Sequence, residues 1–334
     1  MKLLTMAHAS QRRFIEILRV IEEADNPIGA RAISDSLSIR GYDLGERAVR
    51  YNLKILDELG FTKKQGYSGR VLTTLGKREL NDALVDDRIG FVNTLIEEYM
   101  YRTTFDPGSC QGDVIVNASL VNKTELEEVL AVLGRAFDAG LTISNRVLIA
   151  DEREEISNLE IPAGYIGLAT VCSITLDGML MKRGIPVNTS FSGIVRINSG
   201  SPEFTDLIAY AGSSLDPIRV FMARRRTRVM DVIAGRAGEV LANVREVPPA
   251  AANLARNLLD QTRAAGFGGL IEFGKPGEPV LGCPVAAGKI GIAMCAGVNG
   301  VVAAEELGIG IKSIPISGLV EYSKMQGLKS ITPE

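Results

Sequence analysis

The sequence predicts an α+β chain in two parts: an N-terminal winged helix-turn-helix and, after it, a pseudo-duplicated α+β domain. Two observations carry this prediction. Between Gln11 and Thr73 three short amphipathic helical runs lead into a basic hairpin, and beyond Asp113 one pattern of sequence occurs twice in altered form. A third observation separates the parts. Residues 1–80 hold 14 Lys and Arg against 10 Asp and Glu, a net +4, which leaves −7 for the remainder of a chain whose total is −3. Such asymmetry speaks to partners and not to fold, and it suits a polyanion to the first part only.

In the first part Phe14, Ile15, Ile17, Leu18 and Ile21 recur at helical spacing until Asp25-Asn26-Pro27 ends the run. Ile28 to Leu37 makes a second short helix, and a turn at Arg40-Gly41-Tyr42-Asp43 precedes a third that begins near Gly45. On that third helix Val49, Leu53 and Leu56 share an apolar face, while the 3.6-residue period gathers Arg47, Arg50, Tyr51 and Lys54 on another. Gly60 to Thr73 then reads as two short strands around a Gly/Ser turn, with Lys63, Lys64 and Arg70 on or near it. Three helices followed by a basic hairpin is the winged-helix order, in which the third helix enters the major groove and the wing touches phosphate. Arg47, Arg50, Tyr51, Lys54, Lys63, Lys64 and Arg70 are therefore the candidate DNA contacts. The alternative for the same charges is a solvated face on a protein-docking wing. A closing helix from Thr74 and a linker put the boundary at Asp86-Asp87-Arg88, giving parts 1–86 and 87–334.

Composition removes several classes of chemistry. With 46% hydrophobic and 23% charged residues the chain is globular. The start has too short an apolar run for a secretory signal and no stretch reaches the length of a membrane span, so the expected address is cytoplasmic, away from membranes. Four cysteines (Cys110, Cys172, Cys283, Cys295) without CxxC spacing and a single histidine, His8, supply neither a zinc site nor a disulfide framework. No metal and no cofactor are expected, and His-based triads are out of reach. The chain has no Trp, which disfavours a base-stacking platform for single strands.

The duplication runs from DVIVNASLV at Asp113 onto EVLANVREV at Glu239, and from Ile161 onto Val285, where Gly164, Ile166, Gly167, Ala169, Gly184 and Ile185 fall on Gly288, Ile290, Gly291, Ala293, Gly308 and Ile309. The halves span about 111–200 and 237–325, each reading strand, helix, strand, then strand, turn, helix and strand. This predicts two similar lobes. The turns are Cys172-Ser173-Ile174-Thr175 and Ala296-Gly297-Val298-Asn299-Gly300, each opening a short helix. A polar or glycine turn at a helix start presents backbone N–H groups at the positive end of the dipole, which attracts carboxylate or phosphate. Cys172, Ser173, Thr175, Asp177 and Lys182 in one half, with Gly297, Asn299 and Gly300 in the other, are the candidate ligand contacts. The plainer alternative makes the glycines tight-turn residues, Cys172 a packing residue and Lys182 a helix cap.

Four stretches carry a family likeness: ERAVRYNLKILDELGF from Glu46, TFDPGSCQGDVIVNASLV from Thr104, IGLATVCSITLDGMLMKRGIPV from Ile166 and GKIGIAMCAGVNGVVAAEELGI from Gly288. In these the chain resembles the NrpR family of archaeal nitrogen-regulatory repressors, with one effector-binding domain after the winged helix. The resemblance implies a homodimeric repressor that binds palindromic double-stranded operators of nitrogen-assimilation genes and is released by 2-oxoglutarate. It also raises a companion NrpR-type subunit as a partner. A small dicarboxylate suits the residue reading, since a duplicated domain offers two helix N-termini, and closure of two lobes around it would change the spacing of paired recognition helices. Two other readings stay open: a co-regulator whose winged helix docks a protein, and a small-carboxylate enzyme using Cys172 or Lys182.

Overall fold

Apolar residues spaced for one helical face build the first unit. The computed structural model describes residues 8–24, 26–42, 44–66, 68–77, 80, 92–157, 159–198 and 200–331. The expected boundary at Asp86-Asp87-Arg88 and the linker helix past Leu80 lie outside the described residues. The chain divides into two units, Met1–Ile89 and Gly90–Glu334.

In the first unit α1 (His8–Glu22), α2 (Ala30–Ile39) and α3 (Glu46–Glu58) precede the hairpin β1 (Thr62–Gln65) and β2 (Gly69–Leu72). Phe14, Ile17, Leu18 and Ile21 of α1 bury against Ile33 and Leu37 of α2 and Val49, Leu53 and Leu56 of α3. Hydrophobic transfer of side chains this size is worth roughly 1.5–3 kcal/mol each, which is how a small unit offsets its chain entropy. The hairpin pairs Thr62 with Leu72 and Gln65 with Gly69, and Arg70 also bridges Ile28. Gly69 is required there: its φ is +127° and a Cβ would stand 2.4 Å from the Ile28 carbonyl.

In the second unit α4 (Val92–Arg102) leads into β3 (Asp113–Asn122), α5 (Leu126–Asp138), β4 (Arg146–Ala150), the small pair β5 (Glu155–Ile156) and β6 (Leu159–Glu160), β7 (Tyr165–Val171), α6 (Ile174–Lys182) and β8 (Asn188–Ile197). After β9 (Glu203–Ala209), α7 (Pro217–Arg224) and α8 (Val229–Ile233), the pattern returns as β10 (Gly238–Val247), α9 (Ala252–Ala264), β11 (Leu270–Phe273), β12 (Ile290–Cys295), α10 (Asn299–Glu306) and β13 (Lys312–Glu321). The chain finishes with β14 (Gln326–Gly327) and α11 (Leu328–Ile331).

Two five-stranded antiparallel sheets result, ordered β13-β3-β7-β4-β14 and β11-β12-β10-β8-β9. Each half thus sends its last strand into the other half's sheet. β8 pairs with β10, Asn188 opposite Glu246, and β13 pairs with β3, Lys312 opposite Leu120. These registers superpose under the sequence repeat, as do Ala242 opposite Cys295 and Val116 opposite Val171. The repeat therefore builds one interlocked body and not two lobes able to close on a ligand. The physical reason is edge pairing, because an exchanged strand satisfies its ladder N–H and C=O groups on a neighbour that is itself central. The helices add to this, one contact crossing between the halves and one joining the first half to the helix that precedes it. α10 packs on α5, with a Gly300 Cβ position 2.9 Å from Leu133, and α6 packs on α4, with a Gly178 Cβ position 2.1 Å from Thr103.

Candidate nucleic-acid interface and ligand cleft

The outer face of α3 is set by what its inner face must bury. With Val49, Asn52, Leu53 and Leu56 turned inward, Arg47, Arg50, Tyr51 and Lys54 are exposed, Tyr51 to 68%. An aromatic ring left in water beside three cations has no core role, which fits a contact surface. Arg50 holds Glu46 at 2.5 Å and Lys54 reaches Glu58 at 4.0 Å. Both pairs are solvent-exposed, so each is worth little and either cation is free to exchange its partner for phosphate. Lys63 and Lys64 of β1 are exposed.

Arg70 does not belong with them. Its Nε lies 2.9 Å and 3.1 Å from the two carboxylate oxygens of Asp57, and its Nη2 2.8 Å from Oδ2, while Thr62 Oγ1 donates to the same carboxylate at 2.5 Å. Asp57 sits on α3, so Arg70 clamps the wing to the recognition helix and is spent on that bond. The expectation of a phosphate contact at Arg70 is corrected accordingly.

In the second unit the two strand-to-helix turns meet. Cys172 N–H donates to Ile115 C=O at 2.8 Å, and at the equivalent place Ala296 N–H donates to Leu241 C=O at 2.8 Å. The first helix residues repeat the device. Thr175 Oγ1 accepts from Ile115 N–H (3.0 Å) and donates to its C=O (3.1 Å), and Asn299 does the same to Leu241 (3.0 Å and 2.9 Å) while also reaching Leu141 C=O. Each turn is thereby nailed to the central strand beside it.

Between the turns runs a narrow cleft lined by Cys172, Ser173 and Ile174 of one half and Ala296, Gly297 and Val298 of the other, closed by Asn117, Asn243, Tyr210 and Asp216. Asn117 and Asn243 are themselves equivalents in the repeat. The cleft leaves about 10 Å³ to the centre of a water molecule, room for one water and not for a dicarboxylate. A ligand enters only if the turns part. Below the cleft a buried polar chain runs from Ser173 Oγ to Asn243 Nδ2 (2.7 Å), Asn243 Oδ1 to Arg245 Nη2 (2.9 Å), Arg245 Nε to Asp177 Oδ1 (2.5 Å) and Asp177 Oδ2 to Thr189 Oγ1 (2.7 Å). Arg245 and Asp177 are both fully buried. Arg245 Nη1 and Asp216 Oδ2 have no hydrogen-bond partner among the described residues. Burial pushes Asp216 up to about 6, against the Ile218 N–H, Arg219 and the nearby Tyr210 hydroxyl, which pull it down.

Three of the eight candidate ligand residues, Cys172, Ser173 and Gly297, line this cleft. The other five lie elsewhere. Thr175 and Asn299 use their polar atoms on the backbone of the adjoining strand, Asp177 is locked to Arg245, and Gly300 is a packing glycine against Leu133. Lys182 is at the far end of α6, about 12 Å from the turn along the axis, with its Nζ 4.9 Å from the Tyr101 ring centre. Burial pushes the Cys172 thiol up to about 12, so it carries no thiolate at neutral pH. Missed from sequence were Asn117, Asn243, Tyr210, Asp216 and Arg245. The two asparagines were within reach, because they coincide when DVIVNASLV is laid on EVLANVREV. Tyr210 and Asp216 lie in the segment between the halves, and Arg245 falls opposite Ser119 in the repeat, so none of the three carries a repeat signal.

A winged helix with an exposed basic recognition face, followed by a duplicated domain, is the arrangement of a transcription regulator. Residues 89–327 match the NrpR regulatory domains NRD1 and 2, and residues 15–80 match the ribonuclease R winged-helix domain. The chain is 48% identical over 95% of its length to the global nitrogen regulator NrpRI of Methanosarcina mazei, covering 98% of that protein. It is 32% identical to the global nitrogen regulators NrpR of Methanocaldococcus jannaschii and Methanococcus maripaludis, over 95% and 96% of this chain and 55% and 58% of theirs. Among solved structures it resembles a nitrogen repressor-like protein from Methanococcus jannaschii, with a TM-score of 0.59, 27% identity, and 70% of this chain and 96% of that one covered. The chain belongs to the NrpR family.

Proposed function

We propose that this protein is a homodimeric, cytoplasmic repressor of nitrogen-assimilation genes that binds a palindromic operator and releases it when 2-oxoglutarate occupies the cleft. The observation that carries the gating is the meeting of two equivalent helix N-termini in one cleft, a pair of positive dipole ends suited to the two carboxylates of one small acid. DNA binding is supported by the basic outer face of α3 and by the relatives, which are named as global nitrogen regulators. A palindrome calls for two wings, hence a dimer with half-sites about one helical turn apart. The chain spans a little over half the length of two of those relatives, and a companion NrpR-type subunit is a further partner under this reading. Because the halves are interlocked and the cleft is closed, the ligand acts by parting the turns at Ser173 and Gly297. It needs to favour the parted state by about 1–3 kcal/mol to gate DNA binding.

Mobility shift on a palindromic operator, with and without millimolar 2-oxoglutarate, tests both claims. Retardation lost on adding the acid is expected. Equal retardation in both lanes removes the gating, and none at low salt removes the repressor. An enzyme built on Cys172 or Lys182 finds no support in the geometry, since the thiol is neutral and the amine stands at the wrong end of α6.

A further inference from the structure

The cleft holds one feature that the effector reading leaves unexplained, a carboxylic acid where an anion is to bind. Asp216 is 7% exposed. Its Oδ1 accepts from Ile218 N–H at 3.0 Å, capping α7, while Oδ2 is buried with no hydrogen-bond partner of good geometry among the described residues, the Tyr210 hydroxyl standing near the carboxyl, and the residue lines the cleft. The charged and titratable groups that face it are Tyr210 after β9, Cys172 at the head of α6, Arg219 on its own helix and, behind the cleft, the Asp177–Arg245 pair, which is neutral taken together. No Lys or Arg is among the residues lining the cleft. An ionised Asp216 beside a dicarboxylate would set like charges together in a dry site, and each would raise the other's proton affinity. Protonated, the same oxygen turns from an orphan acceptor into a donor aimed at the ligand.

Resting on the effector reading of this cleft, we propose that the dicarboxylate binds together with one proton from solvent, held on Asp216 Oδ2 and donated in a hydrogen bond to a ligand carboxylate. No bond other than that O–H forms, and the buffer supplies the proton. The free carboxyl already titrates at about 6, so at neutral pH the unliganded site is mostly ionised and ligand entry draws the proton in. Above that value affinity falls as pH rises, by about tenfold per unit until the liganded group itself titrates. Histidine does not blur the measurement in the second unit, because the single His of the chain is His8.

The experiment is titration calorimetry of the full chain with 2-oxoglutarate between pH 6.5 and 8.5, in phosphate and in Tris, whose ionisation enthalpies differ. The wild-type chain is expected to take up close to one proton per ligand at pH 7.5 and to lose about tenfold in affinity from pH 7 to pH 8. Asp216→Asn keeps an oxygen to cap α7 and an N–H to offer the ligand. It is expected to bind with no proton uptake and a flat pH profile, and its melting curve checks that it is folded. Wild-type binding that is flat in pH, without proton uptake, overturns the proposal and leaves the effector reading intact. So does loss of binding in a folded Asp216→Asn, or tighter binding of glutamate than of 2-oxoglutarate at pH 8, which would make an ionised Asp216 the seat of an ammonium group. Absence of 2-oxoglutarate binding by both proteins at every pH overturns the effector reading, and the proposal with it.

Discussion

Arg245 and Asp177 show what a buried charge asks of its neighbours. Neither reaches solvent, and three of the guanidinium's and carboxylate's bonds, to each other, to Asn243 and to Thr189, hold them in place. Removing one partner leaves the other uncompensated, so Asp177→Ala is expected to cost about 3–5 kcal/mol in urea unfolding, and Arg245→Met in the Asp177→Ala background to return a large part of it. Asp216 is the second test at this scale. Its folded value of about 6 stands above that of an unfolded aspartate, 3.8. The folded state therefore holds the proton more tightly, and the stabilisation is full below about pH 4 and lost as pH rises through 6. The loss is about 3 kcal/mol by pH 7. Unfolding by urea at pH 5 and pH 8 should show the remaining half of that loss, about 1.4 kcal/mol, in the wild-type chain, while Asp216→Asn lacks this contribution. Of these residues only Asp177 stood out in the sequence, as a candidate ligand contact, and its buried partner could not be guessed because Arg245 lies in the other half of the repeat.

At the scale of elements, the wing and the recognition helix behave as one piece through Asp57. Arg70→Ala is expected to destabilise the first unit by about 1–3 kcal/mol and to leave the salt slope of operator binding unchanged. Lys63→Ala or Lys64→Ala leaves stability alone, weakens binding to all sequences alike, and lowers the salt slope by about 1 for each lysine that touches phosphate. Melting curves together with binding isotherms at several salt concentrations separate the two outcomes. Asn299 has the matching role in the second unit. Asn299→Ala removes its bonds to Leu241 and Leu141 and strands buried backbone groups, a cost on the order of 3 kcal/mol in unfolding free energy. Helical period and the Gly/Ser turn were enough to find α1 to α3 and the hairpin. They were not enough to separate Arg70 from Lys63 and Lys64, because alternation along a short strand says which face a side chain takes and not what stands opposite.

Over the whole second unit the reciprocal exchange of β8 and β13 ties each half to the other. Neither half has a complete sheet of its own, so the unit is expected to unfold as one cooperative body. Hydrogen exchange measures this: the amides of β8 and β13 should open with the same free energy as those of β3 and β10, and early release of one half would contradict it. The pairing of β13 with β3 joins residues some two hundred positions apart, such as Glu321 and Asp113, and so many long-range contacts make slow folding the expectation.

The residue pattern by itself determined the main elements of the winged helix and of the repeat, the winged-helix order, the basic face of α3 and the two helix-opening turns. These are local or periodic properties, written in spacing and in self-similarity. Only the tertiary structure decided that the repeats interlock, that the turns share a closed cleft, that Thr175, Asp177, Asn299 and Gly300 hold the frame, and that Asp216 lines the cleft with Arg245 buried behind it. Strand exchange and burial bring together residues from distant parts of the chain, and no local pattern encodes which buried group will be left without a partner.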